Sequence, residues 1–188
     1  MAQLVLFHSA CGLREVELTA ARRLRAAGHE VLTPDLYAGQ AADDLDTALS
    51  LMDAIGWEVI CGRARQALDP VPGRAVLAGF SMGAGVIGSV WDRRPQAAGV
   101  VLLHGIAPVP ASVRPGLPVQ VHVADEDRFA PRQAVAQWQD GAVDAGVAAE
   151  VFTYPGAGHF YTDARLADYH AFSASLTWQR VTAFLSAL

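Results

Sequence analysis

The chain is 188 residues long, 52% apolar and 18% charged, with a formal net charge of −5. That length fits one domain with a substantial core, and the apolar excess suits a sheet covered on both faces rather than a disordered chain. The acidic balance, with no basic run, argues against nucleic acid as a partner.

Two cysteines, Cys11 and Cys61, make no disulfide framework. No apolar run is long enough to span a bilayer. The N-terminus has no basic region, and Leu4-Val5-Leu6-Phe7 is too short for the core of a signal peptide. The expectation is a cytoplasmic protein, without membrane contact, that is a monomer or a homodimer.

In chain order, Gln3 to His8 reads as a strand and Ser9 to Gly12 as a turn. Leu13, Val16, Ala20, Leu24 and Ala27 form a helical stripe, with Arg14, Glu15, Glu17, Arg22, Arg23 and Arg25 mostly on other faces. Gly28 is placed as a C-cap. His29 to Thr33 is a second strand ended by Pro34, and Asp35 to Asp46 is an acidic loop. A helix is expected from about Thr47 to Leu68, with a possible interruption at Gly56, closed by Pro70 and Pro72. Arg74 to Ala78 is apolar without alternation, as in a strand buried on both faces. Small apolar residues from Ala84 to Trp91 then form a helix ending near Arg94-Pro95.

Gly99 to Leu103 and Val119 to Val123 are further strands, separated by a proline-rich loop from His104 to Pro118. A helix starts at Pro131, in the first turn where proline is tolerated, and stops at Gly146. Ala149 to Thr153 is the last strand, and Leu176, Val181, Phe184, Leu185 and Leu188 mark a closing amphipathic helix. Strands alternating with helices predict a single α/β domain over residues 1–188, with a mainly parallel sheet of about six strands and helices on both faces. Such sheets bind ligands at the carboxyl ends of their strands. That rule selects Ser9-Ala10, Ser81, His104, Asp125 to Asp127, and His159.

Gly79-Phe80-Ser81-Met82-Gly83 reads G-x-S-x-G between a strand and a helix, the setting of a nucleophile elbow. A serine there is held in a strained turn, its neighbours two positions away must be small, and the Met82 amide lies at a helix N-terminus where it can meet an oxyanion. A serine hydroxyl is too weak an acid to attack unaided, so it needs a base, for which histidine is suited, and a carboxylate to orient that base. The order Ser81, then the cluster Asp125 to Asp127, then His159, is the order of an α/β hydrolase. Spacing alone leaves Asp125 and Asp127 as rivals. His8 and His104 also end strands but precede the place where the base is wanted. His122 and His29 read as structural, and His170 belongs to no motif. Cys11 reads as a buried thiol rather than a reactive one. No Cys/His cluster has metal-ligand spacing.

These residues resemble the dienelactone hydrolase family. Pro34-Asp35-Leu36-Tyr37-Ala38-Gly39-Gln40 is similar to its P-D-L-Y-A-R-Q segment, and Gly79 to Gly83 matches its elbow. His122 to Pro131 is similar to its acid segment, and Tyr154-Pro155-Gly156-Ala157-Gly158-His159-Phe160 to its histidine loop. The resemblance covers nearly the whole chain. It implies an α/β-hydrolase fold, Asp127 as the acid, and a second oxyanion amide from Ala10. From their places at strand ends and in the loops at the expected pocket mouth, Ser9, Cys11, Tyr37, His104, Phe129, Phe160 and Tyr161 are expected to line the substrate pocket.

Three departures stand out. Ser81 replaces the usual cysteine. Ser9 stands in the turn where the family often has a glutamate. Asp163 stands where the dienelactone enzymes carry an arginine that grips the substrate carboxylate. The reading is a serine hydrolase of the dienelactone hydrolase type with Ser81, His159 and Asp127 as its triad. It would act on a small neutral ester or lactone and need no cofactor. A thioesterase, a short-chain carboxylesterase or a silent hydrolase fold used for binding are the alternatives.

Overall fold

The computed structural model describes residues 1–188. Six strands form one sheet: β1 (Gln3–Phe7), β2 (Glu30–Leu32), β3 (Val76–Phe80), β4 (Val100–Leu103), β5 (Pro118–Ala124) and β6 (Ala148–Tyr154). Their order is β2-β1-β3-β4-β5-β6, and every neighbouring pair is parallel. Strand order reverses at β1, which has β2 on one side and β3 on the other. In such sheets the crevice at the switch point is where ligands bind.

The helices are α1 (Glu15–Ala26), α2 (Leu45–Ile55), α3 (Trp57–Leu68), α4 (Met82–Val90), α5 (Arg132–Asp144) and α6 (Ala171–Ala187). Alternation along the strands splits them between two faces. Leu4 and Leu6 of β1, with Val76, Ala78, Phe80, Val101 and Leu103, pack against α1 and α6. Val5 and Phe7, with Leu77, Val100, Leu102, Val119 and Val121, pack against the face that carries α3, α4 and α5. Both faces are dry, which is why the strands read as unbroken apolar runs.

The segment read as one helix with an interruption is two helices, α2 and α3, broken at Gly56, whose φ of 86° a residue with a side chain rarely adopts. Helix α2 begins at Leu45, ahead of the expected Thr47, because Asp44 caps it: its carboxylate accepts from the Thr47 amide at 2.9 Å. Pro131 precedes α5 instead of starting it, with extended backbone at φ −57° and ψ 146°. Helix α6 starts at Ala171, well ahead of Leu176. No helix is long and apolar enough to cross a membrane.

Candidate active site

The loops after β1, β3, β4, β5 and β6 meet at one edge of the sheet. Ser81 follows β3 directly, with φ 50° and ψ −107°, a backbone conformation that non-glycine residues pay to adopt. Three contacts fix the turn. The Ser81 amide donates to the Leu103 carbonyl at 2.7 Å, and the Ser81 carbonyl accepts from Ala84 at 2.9 Å and Gly85 at 3.2 Å. The flanking glycines are steric requirements. A Cβ on Gly79 would lie 2.5 Å from the Gly83 carbonyl, and one on Gly83 would lie 2.5 Å from the Phe7 oxygen of β1.

Ser81 Oγ lies 2.7 Å from His159 Nε2. His159 Nδ1 lies 2.6 Å from Asp127 Oδ2. The other Asp127 oxygen accepts from the Phe129 amide at 2.8 Å, so the carboxylate is held at both ends. Its side chain is fully buried, and that of His159 is 8% exposed. Phe129 and Phe160 flank the imidazole, with centroids 4.6 and 4.5 Å away. A hydroxyl, an imidazole and a carboxylate in series, the last two buried, can pass a proton from the first to the second while the third stabilises the resulting cation. Asp125 takes a different place: it pairs with Arg132 at 2.5 Å on the surface.

Met82 is the first residue of α4, so its amide has no acceptor within the helix. The Ala10 amide, on the neighbouring turn after β1, likewise makes no hydrogen bond to the protein. Both residues line the same cavity as Ser81 and His159. Two free N–H groups beside a serine hydroxyl can hold a developing negative oxygen.

That cavity is about 310 Å³. Its walls are Leu45, Leu49 and Met52 of α2, Trp57 of α3, Met82 and Gly85 of α4, Gly105 and Ile106 after β4, and Phe129. His104 and Phe129 are thus the two expected pocket residues that the cavity contains. The other five are withdrawn from it. Ser9 is bonded to the buried Glu17 carboxylate at 2.9 Å. Cys11 is fully buried, and burial pushes its thiol pKa up. The Tyr37 hydroxyl lies 3.2 Å from Met82 Sδ, behind the pocket wall. Phe160 packs behind His159, and the Tyr161 hydroxyl lies 2.8 Å from Thr177 Oγ1 towards α6. Sequence pattern favoured aromatic residues near strand ends, but these rings fill the layer beneath the site. The missed walls come from α2 and α3, whose apolar spacing reads as an ordinary core stripe.

His104 lines the cavity but is not paired with Ser81. Its Nε2 lies 3.0 Å from Thr162 Oγ1, and burial holds its pKa well down, so it stays neutral. His8 is also neutral and structural. Its Nδ1 donates to the Ser9 carbonyl at 2.7 Å, and its Nε2 accepts from the Leu36 amide at 3.0 Å. His122 sits mid-strand between the Tyr154 hydroxyl and Gln120.

No charged side chain lines the cavity. Asp163 forms a buried ion pair with Arg14 at 2.6 Å, the two side chains being 3% and 5% exposed. Arg63 donates to the Leu36 carbonyl at 2.7 Å, and Arg165 lies 3.2 Å from Asp43 on the surface. Arg14 and Glu17, read from the helical stripe as lying on outer faces of α1, are both buried at its first turn. No group of three His, Cys, Asp or Glu side chains is arranged to hold a metal ion.

A model of the dienelactone hydrolase family matches residues 2–188. No curated protein matches the chain. Among solved structures, one similar to it is a dienelactone hydrolase-like promiscuous phosphotriesterase from metagenomic libraries, at 20% identity and a TM-score of 0.82, covering 100% of this chain and 87% of that one. The esterase PE8 is 17% identical at a TM-score of 0.69, with 99% and 92% covered. A phospholipase/carboxylesterase from Dyadobacter fermentans is 17% identical at a TM-score of 0.58, with 96% and 89% covered. At these identities the likeness shows the shared α/β-hydrolase fold.

Proposed function

The chain belongs to the dienelactone hydrolase family, and on that premise we propose that it is a serine hydrolase that cleaves a small neutral carboxylic ester or lactone through an acyl-enzyme. The observation that carries this reading is the unbroken series from Asp127 through His159 to Ser81, its two links 2.6 and 2.7 Å long. Asp127 accepts a hydrogen bond from the His159 Nδ1–H, which keeps the proton on Nδ1 and leaves the Nε2 lone pair facing Ser81 Oγ. As Oγ attacks the carbonyl carbon, Nε2 takes its proton, and the carbonyl oxygen gathers charge between the Ala10 and Met82 amides. His159 then returns the proton to the departing alkoxide, leaving acyl-Ser81. Water repeats the sequence to release the acid.

The apolar cavity supports a neutral substrate. A carboxylate entering it would lose water without meeting a cation, and an arginine fork is the usual compensation. The esterase and carboxylesterase among the similar structures fit the same chemistry. The test is a fluorophosphonate probe together with a panel of p-nitrophenyl esters, thioesters and lactones. Ser81 should be labelled, and Ser81→Ala should lose both labelling and hydrolysis. Unchanged ester hydrolysis in Ser81→Ala would sink the reading.

A further inference from the structure

We infer that Glu17 is a positioning residue for the oxyanion site: its buried carboxylate fixes the turn that offers the Ala10 amide. This rests on the serine-hydrolase reading above, in which that amide is one of two oxyanion donors.

The turn after β1 is bound at almost every polar atom. The Ser9 carbonyl accepts from the Gly12 amide at 3.1 Å and from His8 Nδ1 at 2.7 Å. Glu17 Oε1 accepts from the Ser9 amide at 3.2 Å and the Ser9 hydroxyl at 2.9 Å. Glu17 Oε2 accepts from the Arg14 amide at 3.1 Å. The Ser9 hydroxyl, having given its proton to the carboxylate, accepts from the Cys11 amide at 3.4 Å. The amides on either side of Ala10 are therefore engaged, one by Glu17 and the other by the hydroxyl that Glu17 orients. The Ala10 amide between them has no protein partner. Its peptide unit, shared with the bonded Ser9 carbonyl, is fixed by the bonds on its neighbours, so the amide is held in place at the cavity wall before any substrate arrives.

The carboxylate is also a costly choice for a merely structural bond. Glu17 is fully buried, and burial raises its pKa, with the bonds from Ser9 and the charge of Arg14 opposing the shift. A neutral amide would accept at one end only, at less cost. Only a carboxylate, which accepts and never donates, receives donors on both oxygens and so spans the turn from Ser9 to Arg14. Arg14 extends the link through its ion pair with Asp163, which lies just beyond His159 in the chain. Glu17 makes no hydrogen bond to Ser81 or His159, so it acts through Ser9.

Glu17→Gln tests this with little change of volume. The amide nitrogen would face either the Ser9 or the Arg14 amide, donor against donor, and one arm of the strap is lost. The readouts are kcat, KM, Tm and the Ki of a trifluoromethyl ketone. With that inhibitor Ser81 Oγ bonds to the carbonyl carbon, the carbonyl π pair becomes the oxyanion, and the proton passes to His159. The expected result is a loss of about ten- to a hundredfold in kcat, with KM within about twofold and a parallel rise in Ki. Tm should stay within a few degrees. Ser9→Ala, which keeps the backbone and removes only the hydroxyl, should show the same pattern more weakly. A Gln variant whose kcat and Ki stay within twofold of wild type, while Ser81→Ala is inactive, overturns the role of Glu17 alone. An active Ser81→Ala overturns the serine reading and this inference with it.

Discussion

Helix α4 touches the end of β1 with no side chain between them, and that contact exposes the geometry of the site to a single methyl group. In Gly83→Ala, the added Cβ would lie 2.5 Å from the Phe7 oxygen, 2.8 Å from the His8 oxygen and 2.9 Å from the Phe7 carbonyl carbon. All three are backbone atoms, so no side chain can swing aside. Reaching even 3.0 Å from the Phe7 oxygen requires a shift of about 0.5 Å, and ordinary contact requires nearly 1 Å. The shift must separate α4 from β1. Met82 precedes Gly83 by one residue, and Ala10 follows His8 by two, so the displacement falls on the gap between the two amides. Overpacking of this kind costs about 1–3 kcal/mol, or about 2–12 °C in Tm for a chain of this size. Displacing a reacting group by about 1 Å costs on the order of a hundredfold in rate. The assay is kcat/KM on p-nitrophenyl butyrate, with Tm read by circular dichroism. Gly141→Ala is the control, because nothing lies within 4 Å of its added Cβ in helix α5; it should hold or gain up to about 1 kcal/mol. A Gly83→Ala enzyme with wild-type Tm and kcat/KM within twofold would refute the claim that this contact sets the spacing of the amides.

Four further outcomes are expected. Asp127→Asn should lower kcat by about 10³–10⁴-fold, because an amide nitrogen facing Nδ1 favours the wrong histidine tautomer; single-turnover kinetics with an activated ester would show it. Gly85→Val should fill the space beside the Trp57 ring, 3.4 Å from the new Cβ, and raise the butyrate-to-octanoate ratio of kcat/KM about 15-fold by excluding about two of the four extra methylenes at about 0.8 kcal/mol each. A neutral ester should outperform an anionic dienelactone of similar size in kcat/KM, whereas a tenfold advantage for the anion, about 1.4 kcal/mol, would show a cation in the pocket. Burial lowers the pKa of His122 from 6.5 to about 3, with a smaller push from Arg180. The unfolded chain therefore takes up a proton below pH 6.5 that the folded chain refuses, and stability falls as pH drops through that window, by about 1.4 kcal/mol per unit from this residue. Urea titrations at pH 7, 5.5 and 4.5 should show a shallower loss in His122→Gln than in wild type.

The sheet and its alternation with helices were readable because strands buried on both faces leave unbroken apolar runs, and glycine and proline mark their ends. The candidate site was readable as far as it depends on backbone position. Ser81, Asp127 and His159 each follow a strand, and parallel strands bring their carboxyl ends to one edge, so 2.6 and 2.7 Å links join residues far apart in sequence. The pocket walls were not readable for a physical reason. Leu45, Leu49 and Met52 recur at helical spacing, which is the same whether the stripe faces a sheet or a substrate. Tyr37 and Tyr161 carry the composition of a pocket, yet both are fully buried beneath it. Glu17 was not readable as a site residue, because a carboxylate in the first turn of a helix is ordinarily explained by the helix dipole. Only the fold shows that its partners are the Ser9 and Arg14 amides.

In the function proposed above, the exchange at position 163 would tie substrate choice to the scaffold. Where the dienelactone enzymes that the sequence resembles carry an arginine to grip a carboxylate, this chain has Asp163, which pairs with Arg14 at the N-cap of α1. A buried carboxylate with an arginine partner is neutral as a unit, whereas either residue alone would be a costly buried charge. Restoring the arginine by Asp163→Arg would therefore set two guanidinium groups against each other in a dry site rather than rebuild an anion pocket. The reversal of charge and the pairing with Arg14 belong together: a position that could have faced the substrate now braces the His159 loop against the helix that carries Glu17. The cavity is left with apolar walls and two free amides. Such a site can stabilise charge that forms during reaction but has no means of attracting charge already present on the substrate.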